Sequence, residues 1–148
     1  MTKDEYYLEI ARAVSRKSKC LKKHYGAVIV KNDEVVSTGY NGVCRGEPHC
    51  TACTKIDRNK DEAEYLTCRA VHAEQNAIIS ASRNEMIGST LYLAGLMAGE
   101  EYWALEEVYP CEICLRLIKN AGISRVVAPQ GVIYERNSYG ILERVGGN

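Results

Sequence analysis

At 148 residues the chain has the length of one domain, long enough to enclose a hydrophobic core. Its 19 basic and 19 acidic residues cancel, so no global positive field exists to hold a long nucleic acid, and nucleic-acid partners are not expected. The segment Met1 to Tyr7 lacks the apolar core of a signal peptide, and no stretch reaches membrane-spanning length, so a cytoplasmic protein without a membrane partner is expected.

Residues 4–17 read as an amphipathic helix with Tyr7, Ile10, Ala11 and Val14 on one face, and Thr2 with Glu5 forms a capping box at its start. A basic cluster from Arg16 to Lys23 follows and contains Cys20. Gly26 to Val30 is a short apolar strand, Asn32-Asp33 a turn, and Val35 to Tyr40 the returning strand of a hairpin that ends at Asn41-Gly42. Residues 42–69 show little periodicity and carry four cysteines; so long a loop in a compact domain is functional or braced.

Ala73 to Ser82 is a helix burying Ala77, Ile78 and Ala81, and Thr90 to Ala94 is a strand. Residues 96–109 have no clear period, with a short helix expected around Tyr102–Glu107. Cys111 to Asn120 is a helix with Leu115 and Ile118 turned inward and Gly122 closing it. Arg125 to Ala128 is a strand, and Ser138 to Val145 reads as a short terminal helix. Strands alternating with helices predict a single domain over 1–148, one sheet with helices on both faces.

The cysteines narrow the chemistry. Seven of them, an odd number without an export signal, argue against a disulfide framework. Cys-x-x-Cys occurs twice, as Cys50/Cys53 and Cys111/Cys114, a spacing suited to metal binding or, for an isolated pair, to redox exchange. Beside the second pair, His72-Ala73-Glu74 supplies an imidazole and an acid. One histidine and two thiolates leave the fourth position of a tetrahedral zinc ion open for water, the inventory of a catalytic site. His72 and Cys111 both stand where helices begin, and the partial positive charge there stabilises thiolates.

Glu74 is read not as a ligand but as a proton shuttle beside the zinc-activated water. The competing reading is a closed structural zinc site with a fourth cysteine, in which Glu74 is an ordinary acid at a helix start. His-x-Glu with Pro-Cys-x-x-Cys is the signature of zinc-dependent deaminases.

At these residues the chain resembles the zinc-dependent cytidine and deoxycytidylate deaminases. The likeness runs from Cys20-Leu21-Lys22-Lys23 and Gly26-Ala27-Val28-Ile29-Val30 through Gly39-Tyr40-Asn41-Gly42 and Cys68-Arg69-Ala70-Val71-His72-Ala73-Glu74-Gln75-Asn76-Ala77 to Pro110-Cys111-x-x-Cys114 and Asn120-Ala121-Gly122-Ile123. Gly-Tyr-Asn-Gly with His-Ala-Glu-Gln-Asn-Ala is closest to the deoxycytidylate (dCMP) branch. The resemblance implies a three-layer α/β/α fold with a five-stranded mixed sheet, commonly a homo-oligomer from dimer to hexamer. It implies zinc on His72, Cys111 and Cys114, proton transfer by Glu74, and substrate contacts from Asn41 and Ala73. Asn41 has a plainer reading as the turn residue of Asn-Gly.

The family pattern brings the strand at Thr90–Ala94 almost directly to Pro-Cys. Here 96–109 intervene, with Glu100, Glu101, Tyr102 and Trp103. The insert either lines the pocket, where its acids disfavour a phosphate, or packs outside it.

Cys20, Cys50, Cys53 and Cys68 match cysteines of bacterial relatives and are expected to hold a second, structural zinc that braces the long loop, with His49 an alternative fourth ligand. Buried free thiols acting as small hydrophobes are the plain alternative. The expected reaction is hydrolysis of dCMP to dUMP and ammonia. Its rivals are deamination of another free nucleobase or nucleoside, tRNA editing, and a non-catalytic zinc module; neutral charge weighs against editing.

Overall fold

The computed structural model describes residues 1–53, 68–99 and 107–147. Among them the chain runs α1 (Lys3–Ser15), β1 (Lys23–Lys31), β2 (Glu34–Tyr40), β3 (Gly42–Val43), β4 (Ala70–Val71), α2 (Ala73–Ile79) and α3 (Arg83–Met86). It continues as β5 (Thr90–Met97), α4 (Glu112–Ala121), β6 (Arg125–Ala128), β7 (Val132–Arg136) and β8 (Leu142–Gly146). Six strands form a mixed sheet in the order β2-β1-β5-β6-β7-β8, while β3 and β4 pair by themselves. All neighbours in the large sheet are antiparallel except β5 and β6, which α4 joins as the crossover that parallel neighbours need.

Period-two alternation in β1 and β5 divides the interior into two cores. Ala27 and Ile29 with Leu91 and Leu93 face α2 and α4, meeting Ala73, Ala77, Leu115 and Ile118. Val28, Val30, Tyr92 and Ala94 face the other way, against Tyr7 and Ala11 of α1. The helices therefore cover both faces, as the alternating pattern predicts. Two glycines set how closely they sit. A Cβ on Gly26 would overlap the α1 backbone at Ala11 and Ser15, and one on Gly39 would overlap α2 between Ala73 and Ala77.

Local chemistry explains the boundaries. The Thr2–Glu5 capping box forms, with the Thr2 N–H donating to Glu5 (2.9 Å) and the Glu5 N–H to Thr2 (3.1 Å). Asn32 and Asp33 both take positive φ, 53° and 61°, as a two-residue hairpin turn requires. Gly122, at φ 89°, ends α4 in the left-handed conformation. The start of α1 is tied to the sheet: the Arg125 guanidinium donates to both Asp4 oxygens (2.8 and 2.7 Å), and the Tyr92 hydroxyl donates to Asp4 (2.8 Å).

The structure corrects four expectations. The large sheet has six strands instead of five. Residues 138–145 form no helix; the chain turns there and Leu142–Gly146 becomes edge strand β8, paired with the unexpected β7. The helix expected to run from Ala73 to Ser82 stops at Ile79, because Ser82 caps a new helix by accepting from the Glu85 N–H (3.2 Å). The strand at Thr90 continues to Met97 because its partner β1 begins at Lys23, opposite Met97. The helix expected around Tyr102–Glu107 falls almost wholly outside the described residues.

Candidate active site

Two helix starts meet at the centre of the site. His72 is the N-cap of α2 and Cys111 the N-cap of α4, and these helices pack together on the face of the sheet opposite α1. The short β3–β4 ladder, pairing Gly42 with Val71, delivers the chain to His72 directly from beside Asn41. The His72 Nδ1 lies 3.6 Å from Cys111 Sγ and 3.3 Å from Cys114 Sγ. Tetrahedral zinc, with Zn–S about 2.3 Å and Zn–N about 2.0 Å, sets ligand atoms roughly 3.5–3.8 Å apart. The three donors are thus already spaced for the ion, and Nδ1 is the imidazole atom that faces the sulfurs. Among the described residues this is the one group of three metal-ligating side chains whose donor atoms lie within 4.8 Å of one another. No fourth protein ligand joins it there, which favours the open site over the closed one.

The thiols are electrically prepared for a cation. Hydrogen bonding from Cys114 and from His72 holds the Cys111 thiol down at about 3. Cys114 is pushed up, first because its S–H serves that neighbouring thiolate and then by burial. A divalent cation reverses the second effect and makes both sulfurs thiolates. The backbone N–H of Cys114 points at Cys111 Sγ (3.4 Å), as at the positive end of a helix.

Glu74 stands in the first turn of α2, 5% exposed. Burial raises its carboxyl above the ordinary 4.5, opposed by its own backbone N–H and by His72. A buried carboxyl with a raised pKa, beside these three side chains but outside their group, is suited both to take and to give a proton.

The substrate candidates occupy different positions. Ala73 is fully buried, so only its backbone can meet a ligand; as the first residue of α2 its N–H has no acceptor within the helix. Asn41 is 6% exposed and largely engaged with β1. Its Oδ1 accepts from the Tyr25 N–H (2.8 Å) and its Nδ2 donates to the Lys23 carbonyl (3.0 Å), leaving one lone pair and one N–H of its amide. The turn reading of Asn41 and the contact reading therefore coexist in one side chain.

Two residues carry roles that pattern-reading passed over. Gln75 Oε1 accepts from the His72 N–H (2.9 Å) and so fixes the ligand's backbone. Asn76 Nδ2 donates to the Tyr40 carbonyl (2.8 Å) and ties α2 to the end of β2. The Gln three residues after the N-cap was a legible signal for the first.

Cys20, His49, Cys50, Cys53 and Cys68 all line one cleft of about 380 Å³. They do not close into a metal-sized group as His72, Cys111 and Cys114 do. Arg69 lies over them, donating to the Pro48 carbonyl (3.1 Å) with Cys50 Sγ at 3.6 Å. The acids and aromatics of the insert, Glu100 to Trp103, lie outside the described residues, whereas its returning end is buried at Val108 and Pro110.

Comparison with known proteins agrees with this geometry. The model of the cytidine and deoxycytidylate deaminase zinc-binding region matches residues 1–130. The deoxycytidylate deaminase of Mycobacterium phage D29 is 38% identical over 133 residues, covering 86% of this chain and 94% of that protein. The deoxycytidylate deaminase of Saccharomyces cerevisiae is 31% identical over 146 residues, 97% of this chain but 42% of the yeast protein. Among solved structures, the dCMP deaminase of cyanophage S-TIM5 in complex with dCMP and dUMP superposes with a TM-score of 0.58 at 26% identity, covering 84% of this chain and 78% of that one. With its metal-ligating triad, buried acid and α/β/α frame all in place, the chain belongs to the cytidine and deoxycytidylate deaminase zinc-binding family.

Proposed function

We propose that this protein is a zinc-dependent deoxycytidylate deaminase that converts dCMP and water to dUMP and ammonia. The observation that carries the reading is the closure of His72, Cys111 and Cys114 to metal-binding distance with Glu74 buried beside them and outside their group. The activities named for the phage and yeast relatives support the choice of substrate.

His72, Cys111 and Cys114 would hold the ion. Zinc bound there supplies a Lewis acid that lowers the pKa of a water toward about 7. Glu74 accepts a proton from the attacking water and delivers it to ring N3, so that C4 becomes electrophilic as the water oxygen bonds to it. A second proton passes through the same carboxylate to the exocyclic amine, which leaves as ammonia when its bond to C4 breaks. The Ala73 N–H and the spare amide atoms of Asn41 orient the base and sugar. Gln75 and Asn76 keep ligand and substrate loop in register.

Three further readings accompany this one. Cys20, Cys50, Cys53 and Cys68 hold a second, structural zinc, with His49 the alternative ligand; their common cleft supports it. The protein assembles as a homo-oligomer, for which outward-facing Ile79, Ile113 and Leu117 on α2 and α4 offer apolar area. It acts in the cytoplasm as one deaminase domain; no helix among the described residues is long and apolar enough to cross a membrane. A panel assay of ammonia release from dCMP, CMP, deoxycytidine, dCTP, and guanine and adenine derivatives tests the substrate. Turnover of dCMP above all others is expected, and turnover of another compound with none of dCMP would overturn it.

A further inference from the structure

Tyr25 lies on β1 in the same alternation as Ala27 and Ile29, so it faces α2 and α4 and packs against the core that contains Ala73 and Ala77. Its backbone N–H and carbonyl are both held by one residue. The Tyr25 N–H donates to Asn41 Oδ1 (2.8 Å), and the Tyr25 carbonyl accepts from the Asn41 N–H (3.3 Å). Asn41 is held in turn, its carbonyl accepting from the Ser18 hydroxyl (2.9 Å).

The side chain so placed ends in a hydroxyl. A half-buried tyrosine normally finds a partner for its hydroxyl. Among the described residues the Tyr25 hydroxyl has no hydrogen-bond partner. Its surroundings are those of the reaction: burial first, then the charges of Glu74, Cys20 and Tyr109, push the phenol up to about 12. It therefore stays protonated at neutral pH and can donate. Tyr109 itself immediately precedes Pro110 and Cys111 in the chain.

Resting on the deaminase reading above, we infer that Tyr25 is a substrate-contacting, specificity-determining residue whose hydroxyl donates a hydrogen bond to an oxygen of the bound nucleotide. A site built to hydrogen-bond a substrate group discriminates against analogues that lack it, because the buried partner is then left unpaired. Asn41 contributes twice, directly through its spare amide atoms and indirectly by setting the ring's position.

The zinc-loaded protein and its Tyr25→Phe variant test this. Removing a hydroxyl that has no partner among the described residues is expected to leave the fold intact and Tm within about 2 °C. KM for dCMP and the Kd for the product dUMP, read by calorimetry, are expected to rise about five- to tenfold while kcat stays within about twofold. Unchanged KM and Kd in a variant that turns over dCMP would overturn the inference and leave the deaminase reading standing. A fall in Tm well beyond that margin would assign the hydroxyl to the fold and overturn it equally. If the wild type neither converts dCMP nor binds dUMP, the deaminase reading and this inference fall together.

Discussion

The His72 Nδ1 stands 3.3 Å from the sulfur of Cys114, 42 positions further along the chain. Neither residue is brought there by local sequence: one begins α2 and the other lies in the first turn of α4, and the sheet beneath sets the two helix starts face to face. Outer-shell changes around a metal typically cost about 10–100-fold in affinity, and loss of a ligand costs more. Cys114→Ser is therefore expected to lose zinc to a chelator at least tenfold more readily than the wild type, and activity with it. Chelator competition, with metal content measured in parallel, checks this; full zinc retention would remove Cys114 from the ligand set.

Acid stability should depend on Asp4. Hydrogen bonding from Arg125, chiefly, holds its carboxyl below the ordinary 3.8 in the folded protein. A depressed folded pKa contributes stability that is present above the unfolded value and is lost as pH falls through the folded one. The contribution is thus full above about pH 5 and fades below about pH 3.8. Asp4→Asn should lower Tm at pH 6 by a few degrees, with the gap to wild type closing toward pH 3. Thermal melts across pH 3–7 measure this; a pH-independent gap would show that packing, not charge, ties α1 down.

Gly39 is where α2 rests on β2 without room for a side chain. Overpacking at such a contact costs about 1–3 kcal/mol, or more when backbone must move. Gly39→Ala should therefore lower the urea midpoint and shift Tm down by several degrees. It should also raise KM, since α2 carries Glu74 and pushes through Asn76 on the Tyr40–Asn41 segment. A variant with wild-type stability would mean that the helix can retreat at no cost.

The core and the candidate site were largely legible because their signals are local or chemical. Thr2 and Glu5 marked the start of α1, Asn32-Asp33 the hairpin, and Gly122 the end of α4, each through the backbone conformation or cap it favours. The His-x-Glu and Cys-x-x-Cys spacings pointed to the three side chains that the fold brings to metal-binding distance, because zinc dictates donor types. The C-terminal hairpin escaped notice because β8 is an edge strand whose Glu143, Arg144 and Val145 are all exposed. With Leu142 its only buried residue, its sequence shows no strand alternation. Tyr25 was hidden for another reason: in sequence it is one more apolar-strand neighbour, and only the fold reveals that Asn41 grips it.

The cysteine cleft carries its own prediction. A double substitution Cys50→Ser, Cys53→Ser should reduce bound zinc from two ions per chain to one and destabilise the protein, while the remaining ion still supports turnover. Metal analysis of both proteins decides it. One ion per chain in the wild type would leave these cysteines as free, half-buried thiols.

The central claim is that Glu74 moves the protons of a zinc-dependent deamination of dCMP. The most direct measurement is conversion of dCMP to dUMP by the zinc-loaded wild type and by Glu74→Gln, with zinc content determined for both. The variant is expected to keep its zinc and lose about 10²–10⁴-fold in kcat, the usual contribution of a positioned acid–base group. A zinc-loaded wild type that leaves dCMP unchanged, or a variant that deaminates it at the wild-type rate, would contradict the account.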